Sequence, residues 1–157
     1  MRKYVISVLS ILGMAVLLAS CQKGGGGNEA PPVQSTVSTA FQGKLVHEEV
    51  VRDVKVTIRM VNIKEALKGM VPEGLKDTHH LKVVFTDAAT GALLKEAEVT
   101  ATVLGPDGTV VEKKLPSMED HFGADFDLSK KGTYEFLVKF LLKDGKKRSG
   151  KFRYEVS

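Results

Sequence analysis

From residue 54 onward the chain alternates apolar and polar residues in short runs. Val54, Val56, Ile58 and Met60 alternate with Lys55, Thr57 and Arg59, the period of a strand with one face buried. Leu81, Val83 and Phe85 repeat the pattern and end at Asp87-Ala88-Ala89-Thr90-Gly91, a turn-like stretch. Ala97, Val99, Ala101 and Val103 form the next run, closed by Gly105-Pro106-Asp107-Gly108, residues suited to a tight turn. Val110 and Val111 begin a short strand up to Leu115. Phe122, Ala124, Phe126 and Leu128 share one face of another. Lys130-Lys131-Gly132 then leads into Tyr134, Phe136, Val138 and Phe140, and Lys143-Asp144-Gly145 leads into Phe152, Tyr154 and Val156. Only residues 63–70 (IKEALKGM) break the period, and they suit one or two helical turns ended by Pro72 and Gly74. Six or seven short strands with no long helix predict an all-β fold, an immunoglobulin-like antiparallel β-sandwich with a short helical insertion. The antibody hallmarks are missing: there is no tryptophan and no pair of cysteines.

The start of the chain has a different pattern. Arg2 and Lys3 precede an apolar run from Tyr4 to Ala19, and Leu18-Ala19-Ser20-Cys21 follows. A basic start, a short apolar stretch and small residues before a cut predict a secretory signal peptide. As a membrane span, residues 4–20 are at the bottom of the length range, and an uncleaved anchor is the alternative. The stretch resembles the lipobox of bacterial lipoproteins. That resemblance implies removal of residues 1–20 and a lipid-modified Cys21, with enough acyl chains for stable anchoring. Gln22 in place of an aspartate resembles the pattern sorted to the outer membrane in double-membraned bacteria. Residues 22–40 are rich in Gly, Pro, Ser and Thr and read as a tether. The organisation expected is a signal peptide at 1–20, a lipidated Cys21 and tether at 21–40, and one domain at 41–157 in the periplasm-facing envelope.

Cys21 is the single cysteine, so the domain has no disulfide, no thiolate metal site and no cysteine nucleophile. The net charge is +4, of which Arg2 and Lys3 supply two units, too little to argue for nucleic acid. Lys143, Lys146, Lys147, Arg148 and Lys151 cluster in sequence. They read as a solvated hairpin guarding a sheet edge, with contact to anionic lipid headgroups as the alternative. There is no phosphate loop, no GxSxG and no HExxH, so no enzyme is predicted.

Two groups carry candidate metal chemistry. In Thr78-His79-His80, adjacent strand residues face opposite ways, so the two histidines do not share one ion by simple geometry. His79 is in phase with Leu81, Val83 and Phe85 and suits a core position; His80 is in phase with Lys82. The second group is Met118-Glu119-Asp120-His121-Phe122-Gly123, in a loop after Pro116. One turn aims Met118 and His121 the same way, and a thioether with an imidazole suits Cu(I), with Glu119 or Asp120 shifting preference toward Fe, Mn or Zn. Equally, Met118 fills a gap and His121 is an exposed loop residue.

Residues 78–91 (THHLKVVFTDAATG), 118–128 (MEDHFGADFDL) and 132–136 (GTYEF) resemble YtkA-like and FixH-like periplasmic domains. The second stretch also resembles the periplasmic iron- and copper-binding proteins of bacterial iron uptake. That resemblance implies Met118 and His121 as metal ligands, with Phe122 where those proteins carry tyrosine and His79 or His80 as an upstream histidine. The chain departs from them in having no histidine in residues 129–157. If strands alternate end to end, His79 and His80 lie a strand length from His121, about 25 Å at ~3.3 Å per residue. The expectation is a lipid-anchored protein that binds a transition metal, copper foremost, as carrier or accessory factor with a protein donor or acceptor. The competing expectation is a metal-free structural or interaction module of the envelope.

Overall fold

The computed structural model describes residues 42–157. The signal peptide, Cys21 and tether lie outside the described residues. Eight strands follow in order: β1 (Lys44–Val51), β2 (Val54–Asn62), β3 (His79–Asp87), β4 (Ala97–Leu104), β5 (Val110–Lys114), β6 (Phe122–Phe126), β7 (Gly132–Leu142) and β8 (Lys147–Val156). They make two four-stranded sheets, β1-β2-β3-β6 and β5-β4-β7-β8, with every neighbouring pair antiparallel. This is the β-sandwich that the alternation predicts.

The core lies between the sheets. Val56, Ile58, Leu81, Val83 and Phe85 from the first sheet are fully buried against Ala101, Phe136 and Val138 from the second. Each sits on the in-facing phase of its strand, so burial follows the two-residue period. Aromatic rings knit the middle: Phe85 lies 4.4 Å from Phe140 and Phe136 stacks on Phe152 at 4.7 Å between centroids.

The helical insertion is a single turn, α1 (Ile63–Ala66), whose N-terminus is capped by the Asn62 side chain accepting from the Glu65 N–H. Lys68 and Gly69 then take positive φ, which ends the turn before Pro72.

Strand β1 is the element that alternation misses. Its sequence, KLVHEEVV, places His47 and Glu49 inward, opposite Ile58 and Val56, after a register shift between Leu45 and His47. The bulge and the polar inward residues erase the apolar period. The basic hairpin is also not uniformly solvated. Arg148 faces inward and is 7% exposed, held by two hydrogen bonds to the Asp144 carboxylate at 3.0 and 2.5 Å. Among the described residues, no helix is long and apolar enough to cross a membrane.

Candidate metal centre

β6 is short and pairs with only the first half of β3, from His79 opposite Phe126 to Val83 opposite Phe122. The loop before β6 therefore lies beside the middle of β3, on the solvent side of the first sheet. Met118 N–H donates to the His121 carbonyl at 2.7 Å and closes that loop. His80 sits opposite Asp125, and Lys82 opposite Gly123, so these side-chain positions share the outer face with His121.

The two imidazoles meet there. His80 Nε2 and His121 Nε2 are 3.2 Å apart, with the rings edge-on at 88°. Each ring is held from behind: His80 Nδ1 lies 2.6 Å from Asp125 Oδ1, and His121 Nδ1 lies 2.6 Å from Asp120 Oδ1. A carboxylate at each Nδ1 favours the Nδ1–H tautomer, which leaves each Nε2 with a free lone pair 3.2 Å from the other. Facing lone pairs repel, and a cation or proton between them removes the repulsion. The imidazoles are 19% and 11% exposed, so they are largely desolvated. Burial lowers the His121 pKa, opposed by the bond to Asp120, and that same bond lowers the Asp120 pKa.

The approach depends on Gly123. A Cβ there would stand 2.6 Å from His80 Nε2 and 2.9 Å from the Leu81 carbonyl oxygen. The bare glycine lets the His80 ring lean along the sheet to reach His121. The strand-length separation expected between them is thus corrected to ring contact. Strands β4 and β5 lie in the other sheet, so ends do not alternate as in a simple meander.

The other candidates fall around this pair. His79 faces inward, 5% exposed, with Nδ1 2.8 Å from the Thr78 hydroxyl and its ring edge-on to Tyr154 at 5.5 Å. Thr78 Oγ1 also accepts the Leu128 N–H at 2.9 Å, which leaves its own proton for His79 Nδ1. His79 is on the opposite face of the sheet from the pair and is not brought to it. Met118 lines one small cleft with His121, Phe85 and Leu94, and its side chain is exposed. Among the described residues no group of three or more His, Cys, Asp or Glu side chains is arranged to hold a metal ion. Cys21 lies outside the described residues.

In the sequence, Asp120 stands out only as a residue that would shift metal preference, and Asp125 and Gly123 carry no assigned role. Only the pairing of β3 with β6 shows that they frame the histidines. Sequence reasoning also passed over His47 and Glu49, two apart and hence on one face. His47 Nε2 and Glu49 Oε1 are 3.5 Å apart, both buried and without a hydrogen-bond partner among the described residues. They sit between β1 and β8, where His47 stacks over Phe152 at 5.9 Å.

Fold and site together define a β-sandwich bearing a carboxylate-oriented histidine pair on one outer face. No protein-family model matches the chain, and no curated protein sequence matches it. Solved structures share its fold. A copper-bound variant of FetP from uropathogenic Escherichia coli strain F11 aligns with a TM-score of 0.57 over 72% of this chain and 90% of that one, at 12% identity. A DUF4426 family protein from Pseudomonas aeruginosa PAO1 gives 0.58 over 70% and 96%, at 19% identity. A copper-bound variant of P19 from Campylobacter jejuni gives 0.55 over 72% and 96%, at 10% identity. At these identities the likeness is one of fold. The similarity to copper-binding proteins expected from residues 118–128 has a counterpart at that level, and no family model supports YtkA-like or FixH-like membership.

Proposed function

We propose that this chain is a lipid-anchored envelope protein that binds a divalent transition metal, copper foremost, at His80 and His121, as a carrier or accessory factor without turnover. The observation that carries the reading is the Nε2 pair 3.2 Å apart with both Nδ1 atoms on carboxylates. Two nitrogens at that spacing, each ~2.0–2.1 Å from a shared ion, subtend about 100–106°, near the tetrahedral angle. Carboxylates behind ligating imidazoles are the usual outer partners of such sites, fixing the tautomer and raising ligand basicity. Imidazole donors suit Cu, Zn, Fe and Ni, and divalent copper binds most tightly in that series. Two of the solved structures that share the fold, the FetP and P19 variants, are copper-bound. Two protein nitrogens leave coordination positions open, which suits handing the ion to a partner. Met118, which lines a small cleft with His121, is the candidate for a soft third donor. Anchoring through Cys21 and an outer-membrane, periplasm-facing location rest on the N-terminal sequence. Immunoglobulin-like connectivity is supported by Tyr134, whose hydroxyl donates back to the Lys130 carbonyl at 3.0 Å, as in the tyrosine corner.

The test is a titration of the chain with Cu²⁺ against a competing chelator, alongside His80→Ala, His121→Ala and Met118→Ala. One-to-one binding, weakened more than tenfold by either histidine change, supports the pair as the site. Equal affinity in both histidine variants ends this reading. The competing module reading has one observation in its favour: edge strand β5 exposes Val110 and Val111 at 62% and 40%, an open edge of the kind that recruits a partner strand.

A further inference from the structure

The outer face of the second sheet carries lysines that the proposed metal chemistry does not use. Lys139 on β7 stands opposite Ser149 on β8, with Lys147 and Lys151 two residues to either side. Diagonal neighbours in a sheet are ~7–8 Å apart, within reach of long side chains. Thr100 continues that row across β4, and Lys114 on β5 stands opposite Thr100. All four lysines are exposed. The ion pairs of the described residues engage Lys55, Lys113, Lys130, Lys143, Arg148 and Arg153 but none of these four. Lys139, Lys147 and Lys151 border a shallow groove of 790 Å³ with Thr100 and Ser149, over the half-buried Leu137 and Leu141; Glu98 is its one acidic neighbour. Like charges gathered on neighbouring strands repel and destabilise a sheet. An external polyanion removes that repulsion, and the two hydroxyls add donors for phosphate oxygens.

We propose that this lysine face is a docking surface for a bilayer rich in anionic phospholipid. The inference rests on the lipid-anchored part of the function proposed above, and not on its metal site. Charge favours a membrane as the occupant, because the groove gathers Lys139, Lys147 and Lys151 without ion-pair partners against the single carboxylate of Glu98, on a chain whose N-terminal sequence predicts a lipid anchor. A consequence of such docking is that His80 and His121, on the outer face of the other sheet, are turned away from the bilayer. Each basic residue at an anionic surface contributes enough that losing three lowers docking about a hundredfold.

The test is hydrogen exchange on the mature full chain reconstituted into vesicles of phosphatidylcholine with or without phosphatidylglycerol. The intact mass of the purified chain reads the Cys21 lipid separately. The expected result is slowed exchange over residues 137–151 only with phosphatidylglycerol, abolished by raised salt and by combined Lys139→Gln, Lys147→Gln and Lys151→Gln changes. The variant's exchange without vesicles, matched to the parent chain, shows that it folds. Equal exchange on both vesicle types overturns the proposal, as does protection produced by inorganic phosphate alone. An unlipidated mass with the protection intact overturns the anchor and leaves the lysine face standing.

Discussion

At the scale of single residues, the site is built from what one side chain lacks. Gly123 has no Cβ where the His80 ring passes, and the neighbouring Leu81 carbonyl is backbone that does not yield. Gly123→Ala is expected to cost about 1–3 kcal/mol of stability through overpacking and to weaken Cu²⁺ binding more than tenfold by displacing His80. Denaturant unfolding and the chelator titration read the two effects; unchanged metal affinity would sink the proposed role of the glycine. The histidines themselves were legible in sequence as chemistry, and His79 as a core residue from its phase with Leu81. The partnership of His80 with His121 was not. They lie far apart along the chain, and neither local periodicity nor spacing encodes which strands pair.

At the scale of elements, alternation located six of the strands because an in-facing apolar phase survives in each, whereas β5 was marked only by Val110 and Val111, which stay exposed on its open edge. It failed at β1, where the inward positions are His47 and Glu49. Inward-pointing charged residues protect an edge from pairing with another chain, and the same choice hides the strand from a hydrophobic pattern. Where β1 runs beside β8, a Cβ added at Gly150 would run into Glu49 Oε1 and push that buried carboxylate oxygen out of its place between the strands. Gly150→Ala is therefore expected to speed hydrogen exchange across Lys44–Val51 selectively while leaving β2 and β3 protected. Uniform acceleration through the whole sandwich would show instead that β1 and the core open together.

At the scale of the whole molecule, the sandwich buries an imidazole and so couples stability to pH. Burial lowers the His79 pKa below its ordinary 6.5, with Glu65 opposing weakly. Below about pH 6.5 the unfolded chain takes up a proton that the folded state resists. Stability therefore rises with pH through the window between the folded pKa and 6.5, and levels off above it. His121, lowered by burial as well, adds in the same direction. Denaturant midpoints across that range are expected to fall on acidification, and His79→Leu is expected to flatten part of the slope. A slope unchanged in that variant would place the titrating group elsewhere. The sequence by itself determined the all-β class, the in-facing phase of most strands and the residue types able to hold a metal, because a two-residue period and donor chemistry are local properties. Tertiary structure alone decided that β6 returns beside the first half of β3, that Asp120 and Asp125 hold the two rings, and that the lysines gather on the opposite face. These depend on which distant strands pair and in what register, and pairing is chosen by the burial of the whole core, which no short window of sequence contains.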